Sequence, residues 1–233
     1  SMPNPNDFIA PPCEDEIEIL YQDEFILLIN KPTKLLSLSG KNPANLDSVH
    51  HRIRQEFPTA LMIHRLDLGT SGIMVIALNK KISAKLNRQF SERQVKKTYT
   101  ALLAGQLTNE QGQIELPIAK GEFPYQKICA ETGKAALTEY QLVAHEVFQH
   151  NGQEFPVSRV TYHPHTGRTH QLRIHSQQLG HPIIGCDLYS SSNDCQGGTT
   201  EHMANRLMLH ATSLEFNHPI SGERILATCD CPF

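Results

Sequence analysis

A short turn that leads into an apolar strand constrains this chain more than any other feature. The segment His64–Gly72 reads HRLDLGTSG and is followed at once by the apolar run Ile73–Leu78. Gly-Thr-Ser-Gly turn chemistry holds a neighbouring side chain still on a rigid scaffold, and the acid held here is Asp67. An isolated Asp in such a turn usually bonds nearby backbone N–H groups. The rest of the sequence favours a chemical role for this carboxylate.

The length and composition are typical of a globular protein. The chain has 233 residues, of which 39% are hydrophobic and 6% aromatic, which suits one large domain with a substantial core. No apolar run approaches the roughly 20 residues that span a bilayer, and the polar, acidic N-terminus does not resemble a secretory signal. Six scattered cysteines without a Cys-x-x-Cys pair indicate reduced thiols. We therefore expect a cytoplasmic protein.

Charge is unevenly distributed along the chain. The formal net charge is −3, but residues 1–30 carry seven acids and no Lys or Arg, which leaves 21 basic and 17 acidic residues in the remainder. Residues 80–97 carry seven basic residues against Glu92 alone. Because local patches govern phosphate binding more than the overall charge does, an RNA partner stays compatible with this sequence.

The sequence pattern predicts an α+β fold with a mixed, mostly antiparallel central sheet and flanking helices. Strands outnumber helices and most links look like hairpins, including the turn signal Asn151-Gly152. We expect a flexible tail over 1–14, in which Ser1 before Met2 is typical of a cloning remnant, and a single catalytic domain over 15–233. Helices are predicted over about 48–57, 80–92 and 169–179, and strands over 17–21, 25–29, 73–78, 98–103, 113–116, 126–130, 138–148, 157–162, 207–209, 214–216 and 224–228. Residues 186–205 read as a polar loop or insert.

Four further segments stand out beside the Asp67 turn. They are Lys31-Pro32 at a strand end, the Lys96–Ala101 segment KKTYTA, the His163–His175 segment HPHTGRTHQLRIH, and Leu209-His210-Ala211. Taken together with HRLDLGTSG, these segments resemble the RluA-type family of RNA pseudouridine synthases over about residues 15–233. The similarity is greatest to the short, dual-specificity members that act on tRNA and 23S rRNA and lack an S4 domain.

The resemblance implies catalytic roles for three residues. Asp67 matches the catalytic aspartate, and both a covalent attack on the sugar and removal of a sugar proton stay open for it. Tyr99 matches the active-site tyrosine beside the target base. Arg168 matches the arginine that lowers the pKa of the aspartate. The isomerisation is redox-neutral, so no cofactor and no metal are expected.

The remaining expectations concern substrate binding. Arg65 is expected to enter the RNA stack in place of the flipped nucleotide, and Leu172 to form an apolar wall of the base pocket. We expect phosphate or other substrate contacts from a further set of residues: His64, Lys31, Arg93, Lys96, Lys97 and Arg173. The substrate is RNA stem-loops, and a monomer without an obligate protein partner or a membrane is expected.

Three alternatives stay open. The protein could modify a different tRNA or rRNA uridine, or it could be a non-catalytic RNA-binding protein of the same fold. The third alternative is a metallo-hydrolase that uses His163, His165, His170 and His175. It is disfavoured because no carboxylate lies at ligand spacing and because Arg168 and Arg173 would repel a cation.

Overall fold

The computed structural model describes residues 4–190 and 200–233, which form an α+β protein. The strands are β1 (Glu18–Gln22), β2 (Ile26–Lys31), β3 (Leu61–Met62), β4 (Ser71–Ala77), β5 (Lys96–Ala104), β6 (Gln111–Glu115), β7 (Ile118–Lys120), β8 (Gln126–Ile128), β9 (Leu137–His150), β10 (Gln153–Pro164), β11 (Leu209–Asn217) and β12 (Arg224–Thr228). The α-helices are α1 (Val49–Glu56), α2 (Lys80–Ser91) and α3 (Gln171–Gln178). Across these two stretches of chain, no helix combines the length and the hydrophobicity that crossing a membrane requires.

The described chain divides into two compact units. The first, here called the Asp67 unit, comprises Asn4–Lys97 and His210–Pro232. The second, here called the Arg168 unit, comprises the described part of Thr98–Leu209 together with Phe233. Each unit is described by itself below.

The Asp67 unit is built on strands in the order β1-β2-β4-β11. β4 pairs in parallel with β11 and antiparallel with β2, while β3 lies beside β4 and β12 beside β11. Every residue of β4 is buried, as its uninterrupted apolar sequence predicts. The helices α1 and α2 begin where Ser48 and Asn79 accept backbone N–H groups of the first turn.

The Arg168 unit is built on the antiparallel order β5-β10-β9-β6, with a separate β7-β8 hairpin. β9 and β10 are joined by Asn151-Gly152, both at positive φ, as an Asn-Gly hairpin turn requires. α3 is short and unusually buried, because six of its eight residues are closed off from solvent. Leu172 and Ile174 join the apolar core of this unit.

The predicted fold class is confirmed, and most elements lie within a few residues of their expected bounds. The sequence missed the short strands β3 and β7, and the two strands expected at 207–209 and 214–216 are the single strand β11. Within the tail that was predicted to be flexible, the described residues 4–14 make hydrogen bonds: Asn42 bonds the Asn6 carbonyl, and Asn45 bonds the backbone of Phe8 and Ala10. Part of the insert expected at 186–205, including Cys195, lies outside the described residues.

Candidate active site

The loop that carries Asp67 is fixed by the segment Lys31–Ser37 of the same unit. Ser37 Oγ accepts the N–H of Leu66 at 3.0 Å and donates to the Leu66 carbonyl at 2.7 Å. On the other side of Asp67, the carbonyls of Leu68 and Gly69 accept hydrogen bonds from Lys34 N–H at 2.8 Å and Thr33 Oγ1 at 2.7 Å. The backbone is therefore held immediately before and after the half-buried carboxylate.

The turn after Asp67 ends in a close approach between two strands. Thr70 N–H donates to the Asp67 carbonyl, and Gly72 follows at φ +123°. A Cβ at Gly72 would collide with the backbone of Ala211 on β11, so only glycine fits there. Beside it, buried His210 bonds Ser71 Oγ through Nδ1 and the Cys229 carbonyl through Nε2. This packing fixes the direction in which the chain leaves the Asp67 loop.

Lys31 corrects the expectation that this residue meets RNA phosphates. Its side chain has no exposed surface, and its ammonium donates to the carbonyls of Pro32 at 2.8 Å, Leu35 at 2.6 Å and Leu68 at 3.1 Å. Three N–H donors thus go to three carbonyls, which matches the capacity of an ammonium. Lys31 is a structural support of the Asp67 loop. A lysine beside a proline at a strand end gave no local signal of that role.

His64 supports the same loop and is uncharged. Its Nε2 accepts the N–H of Val75 at 3.1 Å, and its ring stacks on Phe90 with the centroids 4.8 Å apart. Burial, followed by the positive charge of Lys97, lowers the pKa of His64 to about 3. An accepting Nε2 on a neutral ring places the proton on Nδ1. These contacts assign His64 a structural role, and a substrate contact stays a prediction.

The expected basic surface lies on α2 and just beyond it. The basic residues of α2 are exposed, and the helix contains no acid. Arg65, Arg93 and Lys96 are also exposed, although Lys96 lies 3.9 Å from Glu215. Burial and the nearby charge of Arg93 lower the pKa of Lys97. Cations held this close to one another favour an anion as their partner.

Tyr99 and Arg168 lie in the Arg168 unit. Tyr99 pairs with Tyr162 between β5 and β10 and packs, half-buried, against the apolar core of that unit. Arg168 precedes α3, and its Nε donates to the Ala135 carbonyl at 2.9 Å. The N-cap of α3 is His170, held in the left-handed region at φ +58°, with its Nδ1 at 2.7 Å from the hydroxyl of Tyr189. The helix therefore begins two residues later than the sequence predicts.

Arg173 is a second correction, because it was expected to meet phosphates. Its side chain is 9% exposed, and Nη2 donates to Asp187 Oδ1 at 2.8 Å. The guanidinium also lies over the ring of Tyr189, 5.4 Å from its centroid. The side chain of Arg173 therefore packs within the Arg168 unit, where its ion pair with Asp187 connects α3 to the segment that follows the helix. Leu172 is buried in the core, and its predicted contact with a base stays a prediction.

The histidines considered as metal ligands have other partners. His165 pairs with Glu139 at 3.2 Å, His170 with Tyr189, and His163 approaches Thr98 Oγ1 at 3.4 Å. His175 Nε2 lies 2.9 Å from the Leu116 carbonyl. Among residues 4–190 and 200–233 no three His, Cys, Asp or Glu side chains are grouped as metal ligands.

Comparison with known proteins gives consistent matches. The family model described as RNA pseudouridylate synthase matches residues 25–178. The chain is 43% identical over 217 residues to the dual-specificity RNA pseudouridine synthase RluA of Yersinia pestis, covering 92% of this chain and 99% of that protein. The RluA protein of Escherichia coli K12 is 42% identical over 214 residues, covering 91% and 92%. Among solved structures, human RNA pseudouridylate synthase domain containing 1 superimposes with a TM-score of 0.78 at 30% identity, covering 97% of this chain and 87% of that one.

Proposed function

Because the chain belongs to the RNA pseudouridylate synthase family, we propose that it isomerises one uridine in a tRNA anticodon loop and one in a 23S rRNA hairpin. The reaction class follows from the family: the enzyme is an RNA pseudouridine synthase, an isomerase. The choice of two RNAs is supported by identity of 42–43% to dual-specificity relatives over nearly their whole length. A different tRNA or rRNA uridine is the alternative.

The chemistry to be catalysed is an exchange of bonds at one sugar. The bond from ribose C1′ to uracil N1 breaks, the base turns, and a new bond forms from C1′ to C5. The proton on C5 is lost and N1 gains one, so atoms and electrons balance without an oxidant or a reductant. The enzyme has to supply a carboxylate, a means of moving the C5 proton, and a pocket for an extruded base.

Asp67 is the proposed carboxylate, and the geometry of its loop is the observation that carries this assignment. Clamps on Leu66, Leu68 and Gly69 hold the backbone on both sides of it. Such support keeps a reacting group in place without spending binding energy on ordering it. Either attack at C1′ or removal of a sugar proton is open to an ionised carboxylate at this position.

Arg168 and Tyr99 complete the proposed catalytic set. Arg168 supplies the positive charge that favours the ionised form of the carboxylate. Tyr99 stacks on the flipped base and takes part in the proton transfer at C5. Arg65, exposed on the Asp67 loop, fills the space that the base vacates by stacking on its neighbours. These roles follow the resemblance of the surrounding motifs.

The exposed cations of α2 and its C-terminal side are proposed to bind the phosphates of the stem. Such contacts set position and affinity, whereas the shape of the loop selects the uridine. We further propose that the enzyme works as a monomer in the cytoplasm, where tRNA and rRNA are found.

The test measures tritium release from transcripts labelled at C5 of uridine. Purified enzyme is incubated with full-length tRNA and with a 23S rRNA fragment, and the modified positions are then mapped by sequencing. We expect one site in each RNA. Asp67→Asn is expected to abolish release while RNA affinity stays within about threefold, because the change removes a charge but little volume. Asp230→Asn, an exposed change in the same unit, is the matched control.

Each outcome decides a separate point. Absence of release from any natural RNA would refute the proposed activity. Release from one other uridine would replace the dual specificity by the alternative substrate. Full activity of Asp67→Asn would show that the carboxylate is not the reacting group.

A further inference from the structure

A buried chain of hydrogen bonds runs through the Arg168 unit and ends at the backbone of Arg168. It starts at the Leu116 carbonyl, 2.9 Å from His175 Nε2, and continues from His175 Nδ1 to Thr138 Oγ1 at 2.8 Å. Gln171 Nε2 then donates to Thr138 Oγ1 at 2.9 Å, and Gln171 Oε1 accepts the N–H of Arg168 at 3.1 Å. Three of these bonds join residues more than thirty positions apart, and the last is local, because Arg168 lies three residues before Gln171.

Donor and acceptor capacities allow only one arrangement of protons. The Leu116 carbonyl can only accept, so His175 Nε2 carries a proton and donates it. Burial lowers the pKa of His175, which keeps the ring neutral and leaves Nδ1 as an acceptor. The Thr138 hydroxyl must then donate to Nδ1, and its oxygen accepts from Gln171.

The orientation of the Gln171 amide is fixed in the same way. Its NH₂ group faces two acceptors, Thr138 Oγ1 and the Leu137 carbonyl at 3.1 Å. Its oxygen faces two donors, the Thr166 hydroxyl at 2.7 Å and the N–H of Arg168. A flipped amide would set donor against donor and acceptor against acceptor. All four bonds of the Gln171 amide are therefore made, and the residue is 4% exposed.

The geometry points to Gln171, Thr138 and His175 as positioning residues for Arg168. Together they hold the backbone N–H of Arg168, while the Ala135 carbonyl, two residues before Leu137, holds its Nε. A fully satisfied buried network has one low-energy geometry, because every displaced donor or acceptor loses its partner. The backbone of Arg168 and the Nε of its guanidinium are therefore held in place before RNA binds. This inference rests on the proposed catalytic role of Arg168.

The experiment interrupts the network away from Arg168. Thr138→Val keeps the shape of the side chain but removes the hydroxyl, which leaves His175 Nδ1 and one Gln171 N–H unsatisfied. We expect kcat to fall roughly tenfold to a hundredfold, with KM within about twofold, because misplacement of a reacting group by about 1 Å costs on that order. Thr138→Ser, which restores the hydroxyl, is expected to recover kcat to within about threefold.

A matched control separates positioning from loss of stability. Ser158 is a fully buried hydroxyl of the same unit that bonds Leu107 N–H and the Gly105 carbonyl, away from this network. Ser158→Ala is expected to lower the thermal midpoint comparably while kcat stays at the wild-type value. Thr166→Val interrupts the network on the Arg168 side of Gln171 and serves as the second route if Thr138→Val does not fold.

A double variant tests whether the effect passes through Arg168. In an Arg168→Ala background, measured under single-turnover conditions, Thr138→Val is expected to cost less than about a further twofold. The proposal is overturned if Thr138→Val keeps wild-type kcat, or if Ser158→Ala loses as much kcat as Thr138→Val does. It is also overturned if the losses caused by Thr138→Val and Arg168→Ala multiply in the double variant. If the wild-type enzyme is active and Arg168→Ala has the same kcat, the positioning proposal is overturned while the proposed reaction stands. An inactive wild-type enzyme would instead refute the proposed function.

Discussion

Replacing Lys31 by Met tests whether this buried lysine supports the Asp67 loop or binds RNA. The change keeps the length of the side chain but removes the ammonium from the carbonyls of Pro32, Leu35 and Leu68. Leu68 O keeps the N–H of Lys34 as a partner at 2.8 Å. All three carbonyls lose the ammonium, but the cost falls on those of Pro32 and Leu35, at about 1–3 kcal/mol each.

The net cost is smaller than that sum, because the variant no longer buries a charge. We expect the free energy of unfolding to fall by about 3 kcal/mol, which lowers the thermal midpoint by about 6–12 °C for a chain of this size. Differential scanning calorimetry of Lys31→Met beside Lys41→Met, an exposed lysine of the same unit, measures the difference. Equal midpoints for the two variants, with a weaker salt dependence of RNA binding for Lys31→Met alone, would refute the structural role and restore the phosphate contact.

Three other perturbations have definite expected outcomes. Gly72→Ala should lower the free energy of unfolding by several kcal/mol, because the new Cβ meets the Ala211 backbone. Gly152→Ala, at positive φ in open space, should lower it by only about 1 kcal/mol, and equal urea midpoints would contradict this. The folded pKa of His64 lies near 3, below its ordinary 6.5, so acid protonates the unfolded chain first and stability falls as the pH drops from about 6.5 to 3. His64→Asn should flatten that dependence by up to about 1.4 kcal/mol per pH unit in urea titrations, and unchanged slopes would count against burial of a neutral ring. Lys81→Glu on α2 should weaken RNA binding and reduce the slope of log Kd against the logarithm of the salt concentration by about one to two. An unaltered slope would exclude this face from phosphate contact.

Local signals predicted the secondary structure well. Ser48 and Asn79 precede helices whose apolar residues recur at helical spacing, and each caps its helix, as Ser and Asn commonly do. The β9-β10 hairpin follows from Asn151-Gly152, because few other residue pairs adopt two successive positive φ angles. These features depend only on neighbouring residues.

The role of a buried polar residue could not be predicted in the same way. Lys31 and Arg173 were interpreted as surface cations, but their partners are Leu35 and Leu68 in one case and Asp187 and Tyr189 in the other. Neither the charge nor the neighbouring sequence distinguishes a lysine that faces water from one that faces three carbonyls. Only the tertiary fold distinguishes the two.

The imidazoles of His64 and His175 have opposite tautomers, which makes them useful probes. His64 carries its proton on Nδ1 in the Asp67 unit, and His175 carries its proton on Nε2 in the Arg168 unit. Long-range ¹H–¹⁵N correlation spectra distinguish these two forms by their cross-peak patterns. Once the two rings are assigned in a ¹⁵N-enriched sample, their cross-peaks under increasing denaturant would report the unfolding of each unit separately.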